Sequence, residues 1–321
     1  MAKMWFSVGG SSGLSWNDFL DVAKACDDLG FYGFYPSDHL GPVGRGGPSA
    51  RLDAMTVLAA LSAHTRRLRL GALVMGNHFR HPVMTAKIVG ALDHVSGGRA
   101  ELGLGQGGNK EEHVNHGMAH PPFKERLEHL DEGLQVIRAL WTQDKATFAG
   151  KHYRLDGVEY EPKPVQKPYP PIIVGGSGMG TMRIAARHAD EWNTTEVPLK
   201  TQATLVERMK ELCAEEGRDF STLRLSHQLT MQLLDKPEAE RFLERQVEQA
   251  SRNPRFKLHP EYTSIEDQVR DTVIVGGPEE MKEAVGKWLA AGVTHLNIHT
   301  PRPFERRLLE GIAAVVMPAF G

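Results

Sequence analysis

Cysteine is scarce in this chain: Cys26 and Cys213 are the only two in 321 residues. Both fall in helix-period stretches with no cysteine nearby. A disulfide framework is therefore not expected, and a reducing cytoplasm is the expected setting. Charge of one sign is scarce too. Thirty-eight basic residues against 40 acidic ones leave a net −2, so no overall field draws the chain to nucleic acid or to an anionic membrane. No apolar run approaches the ~20 residues that span a bilayer. The opening MAKMWFSVGG has no signal-peptide core. Catalytic signatures are missing as well. There is no H-E-x-x-H, no lysine obviously at a strand end and no cysteine in a nucleophile's context.

What is present is alternation. Short apolar runs (4–8, 31–39, 68–74, 99–105, 171–176, 191–195, 223–234 and 294–300) are separated by helix-period stretches (19–26, 52–63, 82–94, 123–141, 181–190, 201–216 and 278–291). Ser15 is placed to cap the first helix and Gly30 to end it. Pro278 opens the last of these helices and Gly292 stops it. About eight strands alternating with helices predict an α/β fold with parallel strands. The strand count and the uniform composition favour a (β/α)8 TIM barrel over an open doubly wound sheet. A barrel needs roughly 250 residues, so residues 1–321 are expected to form one domain with insertions. The proline-rich stretch around 142–170 reads as a surface insertion. The polar stretch 235–271, with a break at Asn253-Pro254, reads as a second. It either covers the barrel mouth or decorates it.

Two glycine clusters stand out. GLGQGG (103–108) matches G-x-G-x-x-G, but the NKEEHVNHG after it is polar and loop-like rather than an apolar-periodic helix. It is better read as a turn that lets something flat approach the strand end than as a dinucleotide fingerprint. GGSGMG (175–180) follows a buried strand and opens a helix. Its backbone N–H groups at the positive end of a helix dipole form an expected phosphate site, against the plainer reading of a tight turn. Pro36-Ser37-Asp38-His39 closes the second strand. His39 there can give or take a proton, and Asp38 can orient it or bond a cofactor. His113, His116 and His120 cluster with Glu111 and Glu112, but their spacing favours a solvated or cofactor-edge loop over a metal site, and none is assigned. With no strong built-in nucleophile, the reactive group is expected to be a bound cofactor.

Several segments together resemble a known family. They are PSDHL after the second strand, HPVMTAKIVGALDHVSGGRAELGLGQGGNKEEHVNHG (81–117), ERLEHLDEGLQVIRALWT (125–142), the stretch 160–193 and IVGGPEEMKEAVGKWLAAGVTHLNI (274–298). In order and spacing these are similar to the luciferase-like monooxygenase superfamily, and within it to the branch that uses coenzyme F420. The resemblance runs along nearly the whole chain. It implies a bacterial luciferase-like barrel with cofactor in its mouth, commonly a homodimer, with a separate flavin or F420 reductase as a possible supplier of reduced cofactor. It implies that Gly175, Gly176, Ser177, Gly178 and Met179 hold the cofactor phosphate. It further implies that Asp38, Gln106 and Gly107 line the cofactor and that His39 sits beside its reactive carbon. A non-prolyl cis peptide is expected at Leu73–Val74, within one residue of register. This chain departs from the family's sugar-phosphate dehydrogenase in three places. Near Val43 it lacks that enzyme's Trp, at Gly108 its Glu, and at Val197 and Pro198 its phosphate-binding Lys. Glucose 6-phosphate is therefore a poor expectation.

The leading expectation is an F420-dependent oxidoreductase acting on a small organic substrate. The alternatives are a two-component monooxygenase using reduced FMN and O2, and a non-catalytic flavin-binding protein.

Overall fold

Capping decides where the first helix begins, and it does so as the sequence predicts. In the computed structural model, which describes residues 3–10, 13–41, 51–253, 256–299 and 305–321, strand β1 (Trp5–Gly9) leads to helix α1 (Trp16–Leu29). The Asp18 N–H donates to Ser15 Oγ at 3.3 Å and the Ser15 N–H donates to Asp18 at 2.8 Å. These reciprocal bonds satisfy two donors the helix cannot satisfy itself. Gly30 ends α1 at φ 81°, a left-handed conformation that suits glycine. Phe19, Val22, Ala23 and Cys26 form the buried stripe.

The chain continues through β2 (Gly33–Tyr35), α2 (Ala54–Ser62), β3 (Arg69–Leu70), β4 (Met75–Gly76), α3 (Pro82–Ser96), β5 (Leu102–Gly105), α4 (Lys110–Asn115) and α5 (Phe123–Thr142). An antiparallel hairpin, β6 (Ala146–Ala149) and β7 (Arg154–Val158), follows. Then come β8 (Ile172–Gly175), α6 (Met179–His188), β9 (Glu191–Thr195), α7 (Leu199–Glu215), β10 (Arg224–Leu229) and β11 (Met231–Leu233). The last part holds α8 (Lys236–Arg252), α9 (Ile265–Thr272), β12 (Ile274–Gly276), α10 (Pro278–Ala290), β13 (His295–His299) and α11 (Arg306–Gly311). Among the described residues no helix is long and apolar enough to cross a membrane. The positions Val43, Pro254 and Thr300 lie outside the described residues.

Nine strands form one parallel sheet in the order β3-β2-β1-β13-β10-β9-β8-β5-β4. Its edge strands, β3 and β4, come from one stretch of chain. Four residues, 71–74, separate them and span at most roughly 14 Å, so the sheet must curl until its edges nearly meet. A parallel bridge between Leu70 and Ala100, with Glu101 N–H donating to Leu70 O at 2.9 Å, lies across that gap. The sequence predicts 68–74 as one strand. The structure breaks it into β3 and β4, and residues 71–74 between them, with a cis peptide at Leu73–Val74, lie outside the strands. The run 223–234 likewise divides at Thr230, and its second half pairs with β12, a strand the periodicity did not show. Within 142–170 and 235–271 lie the β6–β7 hairpin and helices α8 and α9. NKEEHVNHG, expected as loop, contains α4. Asn109 Oδ1 accepts the Glu112 N–H at 3.3 Å, and acidic residues occupy the first turn, so a short polar helix is stable there.

The space inside the curl is polar at the N-terminal ends of the strands. Glu101, 1% exposed, accepts from Tyr32 Oη at 2.7 Å, Tyr35 Oη at 2.6 Å and Arg69 Nε at 3.1 Å. Arg224 bridges Glu101 and Glu191, and His295 joins Glu191 to Ser7. Burial alone would raise the pKa of Glu191, but His295 and Arg224 hold it well below the usual carboxylate range. Tyr35, Leu73 and Ile173 form a small apolar layer separate from the main core.

His227, packed between β10 and the covering helices, gives the core a pH dependence. Its ring stacks on Trp288 at 4.2 Å, and its Nδ1 lies 2.7 Å from Thr194 Oγ1. That hydroxyl gives its own proton to Gln202 Oε1, so Nδ1 must carry the donated hydrogen, and Nε2 is left buried without a partner. Burial, then the neighbouring His299, push the His227 pKa down to about 3. The unfolded chain takes up this proton near pH 6.5, so the contribution to stability is full above 6.5 and shrinks as pH falls toward 3. By pH 4 the loss should reach about 3 kcal/mol. Urea denaturation at pH 7 and pH 4 is expected to show it, with a smaller difference in His227→Gln.

Candidate active site

A cavity of about 670 Å3 opens at the C-terminal ends of the parallel strands. After β2 come Asp38 and His39, and the β3–β4 break supplies Leu73 and Val74. The turn after β5 contributes Gln106 and Gly107, and the end of β8 with its turn gives Gly175, Gly176, Ser177 and Gly178. All of these expected residues line the one cavity. Met179 does not. It is the first residue of α6 and is half-exposed, because the helix has by then turned its side chain away from the rim.

Glycine makes room for this wall. A Cβ on Gly103 would stand 2.0 Å from the Ala72 carbonyl oxygen. On Gly105 and Gly175 it would stand 2.8 and 2.9 Å from methyls of Val74. Three glycines on two neighbouring strands thus receive the 72–74 segment, so the first glycines of GLGQGG admit the chain itself and not, as the sequence suggested, something flat at the strand end. In the second glycine loop, the Gly176 N–H donates to Asn193 O at 2.9 Å, and Trp192 Nε1 donates to Gly176 O at 2.8 Å. Gly178 caps α6 with no side-chain bond, and a Cβ there would meet nothing within 4 Å. The helix therefore presents its N-terminal N–H groups toward open space.

The proton chemistry is organised differently from the sequence reading. Asp38 does not orient His39. Its carboxylate, 5% exposed, is held by Arg80 through bonds of 2.6 and 3.0 Å, and Arg80 also reaches Asp53. Burial pushes the Asp38 pKa up against the pull of that guanidinium. The partner of His39 is Glu112, on α4, whose Oε2 lies 3.0 Å from His39 Nδ1. Glu112 Oε1 accepts the Leu40 N–H at 2.6 Å. Burial works to raise the Glu112 pKa, but the bonds from His39, Leu40 and Gly41 outweigh it and keep the carboxyl below its ordinary value. Sequence spacing gives no sign of this pair, which lies 73 residues apart. Glu112 stood out only as part of a polar cluster.

That cluster itself disperses. His113 and His116 each bond a carbonyl of their own helix turn through Nδ1. His113 lines the cavity with its Nε2 buried and unpartnered. Among the described residues, the group compact enough for a metal is Glu125, His129 and His152, none of which lines the cavity. Gln106 accepts a 2.6 Å bond from Arg126 Nε.

A curled parallel sheet under helices, with a glycine-lined cavity at its C-terminal rim and a histidine–carboxylate pair on the edge, defines an α/β enzyme-like scaffold built to hold a ligand at that rim. The particular family follows from comparison: the family model described as luciferase-like monooxygenase matches residues 4–295, and the chain belongs to that family. Among its relatives, an F420-dependent glucose-6-phosphate dehydrogenase of Nakamurella multipartita is 29% identical, over 94% of this chain and 92% of the relative. An enzyme of the same name from Microbacterium testaceum is 27% identical, over 94% and 93%. Among solved structures, an F420-dependent secondary alcohol dehydrogenase in complex with an F420-acetone adduct superposes with a TM-score of 0.84 at 20% identity, covering 99% of each chain. The F420-dependent tetrahydromethanopterin reductase of Methanopyrus kandleri gives 0.82 at 21%, covering all of both chains. At these identities the solved structures speak for the fold.

Proposed function

We propose that this chain is an F420-dependent oxidoreductase that moves a hydride between the deazaflavin and a small organic substrate. The observation that carries the reading is one cavity joining an uncapped glycine-rich helix N-terminus to the His39–Glu112 pair. The relatives named for F420 across nearly their whole length support it.

The residues fit such a group. The cavity volume suits a ring with a side chain. Leu73 and Val74 offer an apolar wall that the three glycines allow to stand close. The N–H groups of Ser177, Gly178 and the first turn of α6 would take its phosphate, since that of Gly176 is given to Asn193 O, and Gly107 and Gln106 would lie along its edge. When bound, F420 supplies a carbon that accepts or gives a hydride. The chain's own part is positional and acid–base. Glu112 accepts from His39 Nδ1, which directs the other ring nitrogen, Nε2, away from the carboxylate to hold or release a proton. Arg80 keeps the buried Asp38 carboxylate in place, and the floor of the curl excludes water from below.

The curled sheet is read as a closed (β/α)8 barrel, its gap bridged at Leu70–Ala100, and residues 1–321 as a single domain carrying the two insertions. The working form is taken to be a homodimer in the cytoplasm, where Cys26 and Cys213 stay reduced and buried. Titrating the purified protein with F420 and with FMN tests the cofactor. F420 should bind at least about tenfold tighter. Tight FMN binding without F420 binding would overturn the reading.

A further inference from the structure

We infer that Glu196 selects the substrate of this site, taking a hydroxyl or ammonium donor, and that it turns phosphomonoesters away. The inference rests on the reading of the rim as a cofactor and substrate mouth, and four observations lead to it. Glu196 stands just past the C-terminal end of β9, where barrel-like enzymes present reacting and binding groups. Its φ is 54°, and among the described residues it is the one non-glycine residue with positive φ. A long acidic side chain has no intrinsic preference for that conformation, so the fold holds it there at a cost. Backbone anchoring accounts for the hold: the Glu196 N–H donates to Gln228 O at 3.1 Å.

The third observation is electrostatic. Three carboxylates line the main cavity: Asp38, Glu112 and Glu196. Arg80 holds the first and His39 the second. Glu196 alone of the three has no side-chain partner among the described residues. No Lys or Arg among them lines that cavity, so an incoming phosphate dianion would meet, at the exposed Glu196, a negative charge that no cation of this cavity's described wall offsets, Lys257 being set in the next compartment. A hydroxyl or an ammonium would instead complete it with a charge-assisted hydrogen bond. The fourth is position. Glu196 also lines a second cavity of about 530 Å3, walled by Gln246, Gln249, Lys257 and Gln268 from the α8–α9 region. It therefore stands where the cofactor cavity passes into an amide-rich compartment, and the polar remainder of a substrate held by Glu196 can extend there. The side-chain amides of Gln246 and Gln249 offer both donors and acceptors to a hydroxylated chain, while that of Gln268 is held by the His259 N–H and the Lys257 carbonyl.

The relatives named as glucose-6-phosphate dehydrogenases make the contrast testable on one frame. Cyclohexanol, glucose, glucosamine and glucose 6-phosphate share a six-membered ring and differ in donors and charge. Ligand-observed NMR titrations on the F420-loaded protein should rank glucosamine and glucose at least about tenfold tighter than cyclohexanol and glucose 6-phosphate. Glu196→Gln keeps the size and removes the charge, and should abolish the advantage of glucosamine over glucose. Glu196→Gly removes the side chain where glycine tolerates the backbone. It should lose the glucose preference as well, with an unchanged or higher Tm showing that the fold survives. Tightest binding of glucose 6-phosphate, or a ranking that Glu196→Gln leaves intact, overturns the proposal. F420 affinity is measured separately in each variant and should not change. If F420 fails to bind at all, the cofactor reading falls, and the same four sugars and alcohols titrated into the protein alone still decide the role of Glu196.

Discussion

Replacing His39 with alanine is expected to lower turnover by about 10²- to 10⁴-fold while leaving F420 affinity unchanged. The separation follows from where the ring sits. Its Nδ1 is engaged by Glu112, and its contacts to the chain do not involve the glycine loop proposed to hold the phosphate. Losing the ring therefore removes a proton donor or acceptor without disturbing that cradle. Added imidazole should restore part of the rate, since the space left behind is lined by residues that need not move. Glu112→Gln should cost less, roughly tenfold, because an amide oxygen can still accept from Nδ1 at the same place. Glu112→Ala should cost more, since it removes the acceptors of both His39 Nδ1 and the Leu40 N–H, whereas the amide with its oxygen toward His39 gives up only the bond from Leu40. Rates, cofactor affinity and imidazole rescue measured on the three variants check this. Loss of F420 binding in His39→Ala, or full activity, would show that the ring does other work.

The second large effect concerns a position with no chemistry at all. Gly103→Ala adds one carbon 2.0 Å from the Ala72 carbonyl oxygen. No rotamer relieves a Cβ clash with backbone, and β5 cannot retreat because Leu102 and Leu104 are fully packed on its other face. The 72–74 segment must shift instead. A cost of about 3 kcal/mol or more is expected, read as a Tm fall of roughly 4–5 °C or more in a chain of this length, together with loss of cofactor binding because Leu73 and Val74 no longer form its wall. Gly178→Ala is the control. A Cβ there meets nothing within 4 Å and φ is −75°, so Tm should hold. Any weakening of cofactor binding then reports on the anion site itself. A Gly103→Ala protein with native Tm and native F420 affinity would remove the packing account of this wall.

Both predictions mark what the sequence could and could not show. Position along a strand is a local property, so PSDH after β2 and the glycine clusters after β5 and β8 could be placed at one rim by alternation alone. The Leu73–Val74 cis peptide came from family likeness, not from any pattern in LRLGALV. Partnership is a tertiary property. Nothing in the order of residues says that Asp38 belongs to Arg80, or that the carboxylate behind His39 arrives from a polar stretch 73 residues on. That stretch reads as loop because its apolar periodicity is weak, yet its helix is held by a cap and by the carboxylate's bonds to Leu40 and Gly41. Glu196 was invisible for another reason: its interest lies in a backbone angle and in the absence of a partner, and neither leaves a mark in composition.

The floor beneath the site carries one more consequence. Trp5 stacks on Tyr32 at 4.9 Å, Arg224 lies over both, and the acids they surround are sealed from solvent. Among the described residues traffic through the bottom is closed, so whatever visits the site comes and goes on the side of the C-terminal rim. The visitor seated deepest has to arrive first and depart last, which imposes a sequence on encounters that no residue at the doorway needs to enforce.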